Sequence, residues 1–577
     1  MKNLFRILSY LKPYWFIALL APVFMIGEVT FLLLIPKTSG DMINIGIANK
    51  NLTKVINMSL LMLLYTVLSC IFAFLSHYFA NRASSEMSND LRIKTFKKSL
   101  NMSFSNLDEH EIGKVITRVT SDTNVIRMTT RTFLRGPFRA PYILFGSMFM
   151  IISLSTTLAM SLLIAVPIIF IGNYFIVKKA YPQFRIVQEK LENINTYTQE
   201  NLENIRVVKA FNRGEYANEK FDYHIDALQN SMIKADVITS FNTPLFMFVM
   251  NMCIVAVLYI GGLDVINGKY EAGNIVAFLG YLGQISMALN MIVRVIRMLP
   301  RAGASSNRLV DLFDVESELK TSDEPIKDYE LNGKIEFKNV SFGYHGQKLV
   351  LDDISFKLEP GEKLGIIGTT GSGKTTLVNL IPRFYDVKDG EVLIDDINIK
   401  EFDLHTLRRQ ISTVMQRALL FAGTIEDNIK FGDMEKDEDE VYYAAKNAEA
   451  YDFIVSFTNG YDTILGERGI NLSGGQKQRL SMSRSLITNP KILIFDDSTS
   501  AVDMTTEQKI LHALNTNVNK CTTIIIAQRI RSVINADKIM ILEAGKITGF
   551  GTHKELLEQN KLYQAIYATQ MGDDNNE

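Results

Sequence analysis

Long apolar runs alternate with polar stretches in the first part of the chain. One of them, residues 140–177, covers 38 residues, and a polar stretch at residues 153–157 divides it into two. A helix that crosses a bilayer needs about 20 apolar residues, and single runs of that length cover residues 14–36, 56–80, 241–263 and 275–299. Because buried core helices do not explain six such runs in half a chain, the pattern predicts six transmembrane helices.

The connections between the apolar runs alternate in length. Those after the second and fourth runs, residues 81–139 and 178–240, are long and rich in Lys and Arg. Basic loops close to membrane spans favour the cytoplasmic side, and the basic N-terminus, Arg301 and Arg308 favour it too. We therefore expect both termini in the cytoplasm of a bacterial plasma membrane, and helical hairpins where the long loops extend the spans. The first run shows no small-residue cleavage pattern, which indicates a retained span and not a signal peptide.

The second half of the chain has a different pattern. Short β-branched runs alternate with helical segments, and several runs are apolar throughout, as expected for strands covered on both faces. The predicted strands lie at residues 334–337, 364–367, 491–495, 522–527 and 538–542. The predicted organisation is a transmembrane domain at residues 1–315, a charged linker at 316–332 and a soluble α/β domain at 333–577.

Composition agrees with this division. Hydrophobic residues make up 47% of the chain and charged residues 21%, which is compatible with apolar spans and a charged soluble domain on one chain. The net charge of −1 gives no indication of a nucleic-acid partner. Cys70, Cys253 and Cys521 form no CxxC pair, so we expect small buried side chains and no disulfide or metal site.

A glycine-rich segment follows the predicted strand at residues 364–367. It matches G-x-x-x-x-G-K-[ST], in which backbone N–H groups surround phosphate oxygens at the N-terminus of a helix. In this pattern Lys374 reaches the β- and γ-phosphates and Thr375 binds Mg²⁺. The predicted ATP-binding residues are Gly368, Thr369, Thr370, Gly371, Ser372, Gly373, Lys374, Thr375 and Thr376.

Asp496 ends the apolar run at residues 492–495. A carboxylate at the tip of a buried strand beside a phosphate loop is the usual second anchor for Mg²⁺. We therefore predict that Asp496 and Thr375 hold the metal ion.

A third motif, NLSGGQKQR at residues 471–479, lies between the predicted strands that start at residues 364 and 491. Its LSGGQ core resembles the signature of ATP-binding-cassette (ABC) ATPases. Six spans ahead of one cassette resemble an ABC exporter half-transporter, and the resemblance covers the whole chain. It implies a multi-pass α-helical membrane domain of six transmembrane helices fused to an α/β P-loop NTPase cassette.

The resemblance also implies roles for single residues. Tyr344 is similar to the aromatic residue that stacks on adenine, and Gln416 to the glutamine that senses Mg²⁺ and contacts the membrane half. Residues 466–469 resemble the cross-communication loop of exporters and residues 500–503 the D-loop. Segments near residues 103–113 and 207–216 correspond to coupling helices. The signature residues implied to contact ATP are Ser473, Gly474, Gly475 and Gln476.

A dimer follows from the same resemblance. In the family, two cassettes enclose two ATP molecules, and each ATP touches the phosphate loop of one chain and the signature of the other. One cassette cannot complete a site, so the resemblance implies a second ABC half-transporter as partner.

Two positions depart from a fully active cassette. The family pattern has a glutamate general base after Asp496, and here the residue is Asp497; the switch histidine is replaced by Gln528. Aspartate is shorter by one methylene, about 1.5 Å of reach, and glutamine cannot take up a proton near neutral pH. This pair of departures resembles the degenerate-site subunit of bacterial heterodimeric ABC multidrug exporters. We expect slow hydrolysis at this chain's own site.

The spans indicate less about the cargo. Glu28 lies inside the first run, where a carboxylate is costly, and it either lines the pathway or is hydrogen-bonded between helices. Arg294 and Arg297, near the end of the sixth run, either face the cavity or extend to lipid headgroups. The leading hypothesis is export of drugs or small amphiphiles as a heterodimer within membrane lipid. A lipid or peptide exporter and an ATP-gated channel or sensor are the alternatives, and the six spans exclude a soluble ABC ATPase that acts on nucleic acid.

Overall fold

The apolar runs of the first half form long helices. The computed structural model describes residues 2–110, 112–319, 322, 324–344, 348–498, 503–516 and 521–571. Its contacts divide the chain into two compact units. Unit 1 comprises Met1–Lys98 and Val115–Asp314, and unit 2 comprises Ser99–Lys114 and Val315–Glu577.

Helices make up the first part of the chain as far as Asp314. They are α1 (Lys2–Leu8), α2 (Trp15–Asp41), α3 (Leu52–Leu100), α4 (Phe104–His110), α5 (Ile112–Thr117), α6 (Thr123–Phe133), α7 (Gly136–Leu154), α8 (Thr156–Glu203), α9 (Ile205–Ala210), α10 (Gly214–Ser240), α11 (Asn242–Ile266) and α12 (Ala272–Asp314). Turns of π-helix at Met42–Ile47 and Arg118–Asp122 and a 3₁₀ turn at Ser9–Tyr14 connect some of them.

Five helical stretches in the described residues are long and apolar enough to cross a membrane. The remaining predicted span lies in α8, where the side chains of residues 157, 158, 162, 163 and 166 lie outside the description. The predicted break between the third and fourth spans is confirmed at Ser155, which is extended between α7 and α8.

The long basic loops are helical, as predicted. Helix α3 has 49 residues, a length of about 70 Å at 1.5 Å per residue, whereas the hydrocarbon of a bilayer is about 30 Å thick. Helix α8 has 48 residues. Both helices therefore extend well beyond any membrane-spanning part.

The core of unit 1 forms where α2, α7, α11 and α12 meet, around Met25, Ile143, Val257 and Phe278. Hydrogen bonds between helices add to the apolar contacts. Tyr281 donates its hydroxyl to the Leu33 carbonyl at 2.8 Å, so that α2 and α12 are joined inside the core. Of the three free cysteines, Cys253 and Cys521 are buried as expected, whereas Cys70 is exposed.

Unit 2 contains two main sheets. Its strands are β1 (Ile335–Phe342), β2 (Leu351–Leu358), β3 (Lys363–Ile367), β4 (Asp389–Ile394), β5 (Ile397–Asn398), β6 (Ile411–Val414), β7 (Gly423–Thr424), β8 (Ile464–Leu465), β9 (Ile492–Asp496), β10 (Thr522–Ile526), β11 (Lys538–Glu543) and β12 (Lys546–Gly551). Its later helices are α13 (Lys374–Leu380), α14 (Leu404–Arg409), α15 (Ile425–Lys430), α16 (Glu438–Asn447), α17 (Tyr451–Val455), α18 (Gly474–Leu486), α19 (Met504–Thr516), α20 (His553–Gln559) and α21 (Lys561–Met571).

The larger sheet has the strand order β12-β11-β3-β10-β9-β6. Strands β11, β3, β10, β9 and β6 are parallel, and β12 pairs antiparallel at one edge. Every residue of β9 and β10 is buried, which confirms the interpretation of the continuous apolar runs. The second sheet, β2-β1-β4-β5, is antiparallel.

Part of the segment predicted as a linker packs on unit 2. Ile326 forms a bridge with Phe402, and its N–H donates to the Glu401 carbonyl at 2.9 Å. Leu331 is buried in the core beneath the antiparallel sheet. Residues 324–332 therefore belong structurally to the soluble unit.

Two glycines allow α2 and α12 to approach closely. A Cβ atom on Gly273 would lie 2.1 Å from the Gly40 carbonyl oxygen and 2.4 Å from Asn44 Oδ1. The Gly273 N–H donates to Asn44 Oδ1 at 2.7 Å, just where the π-helical turn follows α2. A side chain at position 273 would therefore separate the helices and break this hydrogen bond.

We expect G273A to destabilise the assembled protein by about 1–3 kcal/mol, the usual range for overpacking, measured as a lower Tm in detergent. G262A is the matched control, because a Cβ there meets no atom within 4 Å and alanine is the better helix former. Equal Tm values for the two variants would contradict the close approach described here.

Candidate functional site

The glycine-rich loop lies between β3 and α13, as the sequence predicts. Gly371 and Gly373 have φ values of 83° and 101°, which side chains rarely adopt. A Cβ on Gly368 would lie 2.2 Å from the Leu542 carbonyl oxygen, whereas one on Gly371 would meet nothing within 4 Å. The loop is thus packed against the sheet at its start and open at its tip.

Lys374 bends back over this loop. Its ammonium group donates to the carbonyl oxygens of Gly368 and Thr369 at 2.8 and 2.9 Å. An ammonium group has three donors, so one remains for another acceptor. Burial lowers the pKa of Lys374, and the nearby Asp497 and Asp496 act against that shift. The side chain is therefore held at the rim of a concave loop.

Thr375 and Asp496 lie side by side. The Thr375 hydroxyl donates to Asp496 Oδ1 at 2.9 Å, and Asp496 is only 7% exposed. Burial raises the pKa of Asp496, and the Thr375 hydrogen bond opposes that effect. A buried carboxylate next to a hydroxyl is a set of oxygen ligands that Mg²⁺ prefers. The pair fits the predicted metal site.

Asp497 is held by two amides. Gln528 Nε2 donates to Asp497 Oδ2 at 2.7 Å, and Gln416 Nε2 donates to the same oxygen at 3.1 Å. The backbone of Asp497 is left-handed, with φ of 46°, a conformation in which Asp is enriched but which is uncommon for residues other than glycine. The N–H of Asp497 donates to the Ile526 carbonyl at 3.1 Å. Three segments, the ends of β9 and β10 and the loop after β6, thereby fix this one carboxylate.

These residues surround one cavity of about 250 Å³. Its lining includes ten residues predicted from the sequence and two that sequence reasoning missed, Val350 and Ile526. Ile526 lies in the strand predicted at residues 522–527, which leads into Gln528, but was not itself named as a site residue, and no motif marks Val350. The lining residues are Val350, Thr370, Gly371, Gly373, Lys374, Thr375, Thr376, Gln416, Asp496, Asp497, Ile526 and Gln528.

Other predicted residues lie outside this lining. Tyr344 touches the site through its hydroxyl, 3.1 Å from Thr376 Oγ1, and its ring packs edge-on against Tyr385 at 5.3 Å. Gly368, Thr369 and Ser372 belong to the loop but do not line the cavity. Of the segment resembling the D-loop, residues 500–502 lie outside the described residues.

The signature residues form a separate feature at the start of α18. Ser473 Oγ accepts from the Gln476 N–H at 3.4 Å, and Gln476 Oε1 accepts from the Ser473 N–H at 2.9 Å, which together make a capping box. Gly474 and Gly475 form the first turn of that helix. None of the four residues lines the cavity at Lys374.

The chemistry of the cavity fits a nucleoside triphosphate with Mg²⁺. The N–H groups of the first turn of α13 have no partners within the helix, and Lys374 adds a positive charge beside them. Thr375 and Asp496 supply oxygen ligands for the metal, with Gln416 close by through Asp497. When bound, Mg²⁺ neutralises charge on the phosphate oxygens.

A short segment between α3 and α5, Ser99–Lys114, packs within unit 2. Phe104 lies 4.5 Å from Phe384, measured between ring centroids, and Tyr385 donates its hydroxyl to Asp108 Oδ2 at 2.8 Å. Burial and this hydrogen bond raise the pKa of Tyr385. Phe384 and Tyr385 follow α13 by only a few residues. The residues that make this contact therefore follow the phosphate loop and α13 closely in sequence.

Unit 1 places Glu28 between helices. Its carboxylate accepts from Arg135 at 2.7 Å and from Arg139 at 2.8 Å, and the residue is 4% exposed. Of the two readings left open by the sequence, hydrogen bonding between helices agrees with this geometry. The side chains of Arg294 and Arg297 lie outside the described residues.

Comparison with known proteins agrees with the two-part architecture. Residues 18–289 match the ABC transporter transmembrane region and residues 351–500 match the ABC transporter family. The chain is 37% identical over 573 residues to the uncharacterized ABC transporter ATP-binding protein YfiB of Bacillus subtilis, covering 99% of both proteins. It is 32% identical to an ATP-dependent lipid A-core flippase of Syntrophus aciditrophicus, covering 84% of this chain and 80% of the relative.

A solved structure shows the same fold. A bacterial Atm1-family ABC exporter with ATP bound superposes with a TM-score of 0.82 at 26% identity. The match covers 96% of this chain and 98% of that chain.

Proposed function

Because this chain belongs to the ABC transporter family and has the fold of an exporter half-transporter, we propose that it exports drugs or other small amphiphiles as one half of a heterodimer. Its own ATP site is the slow one, and its signature serves the fast site of a different half-transporter. ATP and Mg²⁺ are the cofactors. The setting is a bacterial plasma membrane with both termini in the cytoplasm.

The arrangement around Asp497 carries the proposal of a slow site. A general base must lie within hydrogen-bond reach of the water that it activates. The aspartate is short, and both amides donate to one of its oxygens, which favours orientation of that oxygen toward Gln416 and Gln528. The Gln528 amide donates a hydrogen bond but cannot take up or release a proton near neutral pH. The residues proposed to bind ATP and Mg²⁺ are thus all present, whereas Asp497 and Gln528 are less suited to hydrolysis than glutamate and histidine.

The signature supports the second part of the proposal. Ser473 and Gln476 form an intact capping box that orients the first N–H groups of α18. Such N–H groups at a helix start bind phosphate oxygens. This chain therefore has what a partner's fast site requires, and the proposed division is one slow site that holds the cassettes together and one fast site that drives turnover.

The cargo follows less directly from the geometry. Relatives include a protein named as a lipid A-core flippase, so a lipid exporter is the second candidate, and a peptide exporter is also compatible with the fold. An ATP-gated channel or sensor would not need hydrolysis for net movement. Uphill transport into vesicles separates an exporter from a channel.

The proposed path of coupling passes through α4. Asp108 and Phe104 contact residues that directly follow the phosphate-loop helix, and α4 is joined in sequence to the long helix α3. A shift of α13 on nucleotide binding would therefore reach α3 through a short and well-packed contact.

We expect D497E combined with Q528H to raise ATP hydrolysis by the assembled complex, by about tenfold or more at this chain's site, since general-base catalysis contributes about 10²–10⁴-fold. The rate is measured on purified complex in lipid. D439E, an exposed aspartate at the start of α16, is the control and should leave the rate unchanged. An unchanged rate in the double variant would count against a slow site caused by these two residues.

Purification through a tag on this chain from its native membrane should yield a one-to-one complex with a different half-transporter. The measurement is the mass of the intact complex. A complex of two copies of this chain would mean that Asp497 and Gln528 suffice for turnover, and the account of a slow site would then be wrong.

We expect Y385F to lower transport per ATP hydrolysed, because the ring stays in place while the hydrogen bond to Asp108 is lost. A hydrogen bond to a charged group contributes about 1.5–3 kcal/mol, enough to shift the balance between coupled and uncoupled states. Y451F removes a hydroxyl elsewhere in the cassette, on α17, and serves as control. Equal transport-to-hydrolysis ratios in both variants would exclude this contact from coupling.

A further inference from the structure

A group of charged side chains lies inside unit 1, away from the nucleotide site. Glu28 on α2 accepts from Arg135 NH2 through Oε2 at 2.7 Å. Its other oxygen, Oε1, accepts from Arg139 NH2 at 2.8 Å and Nε at 3.1 Å. One carboxylate is thus shared by two guanidinium groups.

Each nitrogen of the Arg135 guanidinium has a hydrogen-bond partner. Besides Glu28, its Nε donates to Ser76 Oγ at 2.7 Å, and its NH1 contacts the ring of His77. Ser76 in turn donates to the Ala21 carbonyl at 2.8 Å. The Arg135 side chain is 8% exposed. It therefore joins α2, α3 and α7, and no donor direction of this guanidinium faces an open surface.

Arg139 differs from Arg135 in this respect. Among the described residues, its Nη1 contacts only the thioether sulfur of Met291, at 4.0 Å, and a thioether is a weak acceptor. The side chain is 18% exposed, compared with 6% for Glu28. Arg139 Nη1 therefore keeps donor capacity that no strong acceptor uses, on a side chain that is more exposed than that of Arg135.

The charges of the group do not balance. Two guanidinium groups face one carboxylate, and among the described residues no other Asp or Glu forms an ion pair with Arg135 or Arg139. An unpaired charge within a membrane-spanning unit is costly, and ionisable residues there mark ligand pathways. The excess positive charge resides at Arg139, the more exposed of the two arginines, and calls for a second anion.

Exposed aromatic rings lie on the same helix as Arg139. Arg139 is in the first turn of α7, and the rings of Phe138, Phe145 and Phe149 are exposed on the adjacent face of that helix. These positions are seven and four residues apart and so share one face of the helix. A ligand that pairs with Arg139 can therefore place a hydrocarbon chain along α7.

We propose that Arg139 binds the acidic headgroup, phosphate or carboxylate, of an anionic amphiphile, and that this is the cargo class of the transporter. The assignment rests on the proposed export function. Glu28 orients the guanidinium and competes with the headgroup for it, so it keeps binding weak enough for release. Arg135 positions Glu28 and does not contact the ligand.

The test uses the purified complex, assembled with its partner, in nanodiscs of phosphatidylcholine without ATP. The probe is radiolabelled dodecyl phosphate, with inorganic phosphate and dodecyltrimethylammonium as competitors. We expect R139Q to weaken probe binding about tenfold, the loss of one charge-assisted hydrogen bond, and R139K to retain most of it. E28Q should strengthen binding about tenfold because it removes the competing carboxylate.

R82Q is the matched control, since Arg82 is an exposed arginine on α3 that contacts Tyr78, and it should bind the probe as the unmodified complex does. Probe binding should change in opposite directions in R139Q and E28Q. If the two residues had only a structural role, both variants would bind the probe more weakly. Unchanged binding in R139Q, or weaker binding in E28Q, overturns the assignment. Equal competition by inorganic phosphate would overturn the amphiphile and leave a free-anion site.

The same samples separate this inference from the proposed function. If R139Q hydrolyses ATP and transports while its probe binding equals that of the unmodified complex, only the assignment of Arg139 fails. If probe binding changes as expected but no variant shows ATP-driven uphill transport, the anion site stands and the export function fails.

Discussion

Hydrocarbon offers no hydrogen-bond partners to a polypeptide backbone, and the architecture of this chain depends on that constraint. Each crossing segment must satisfy its own N–H and C=O groups, so it is a helix. A helix that is already formed at the membrane boundary can continue into water at little cost, as α3 and α8 do. The result is a set of long stiff helices that extend well past the hydrocarbon. Helix α4, which follows α3 in sequence, contacts the residues after α13 within unit 2.

Much of this organisation could be predicted from the sequence, because length, hydropathy and phosphate-loop chemistry are local properties. The buried strands, the break at Ser155 and the gathering of Lys374, Asp496 and Gln528 around one cavity all followed from local patterns. Of the antiparallel sheet only β1 was predicted, and β2, β4 and β5 were not, since short strands with one exposed face carry a weak signal. Contacts between distant residues could not be predicted either. Glu28 and Arg135 are 107 positions apart, and no periodicity indicates that they meet.

The substitutions at the nucleotide site act together and not separately. A glutamate in place of Asp497 would extend past the amides of Gln416 and Gln528, and a histidine in place of Gln528 would offer a ring nitrogen able to take up a proton. With aspartate and glutamine, the short carboxylate and the neutral amide form a closed pair at 2.7 Å. Such a pair is compatible with bound phosphate and Mg²⁺ but not suited to proton transfer. The proposed slow site thus follows from a satisfied hydrogen-bond network.

In both units two donor side chains hold one carboxylate, but the net charge of the two groups differs in sign. In the cassette, Asp497 is held by two neutral amides, which orient a carboxylate by dipoles without cancelling its charge. In unit 1, Glu28 is held by two guanidinium groups, which together exceed its charge. In the first case the negative charge of the carboxylate faces the phosphate cavity, where Lys374 offsets it in part and Mg²⁺ would offset it further when bound. The surplus in the second case is positive and lies among apolar helices, where the cost of leaving it unpaired is large. An acidic amphiphile meets both requirements of that second environment, because its headgroup supplies the missing charge and its chain the apolar contact.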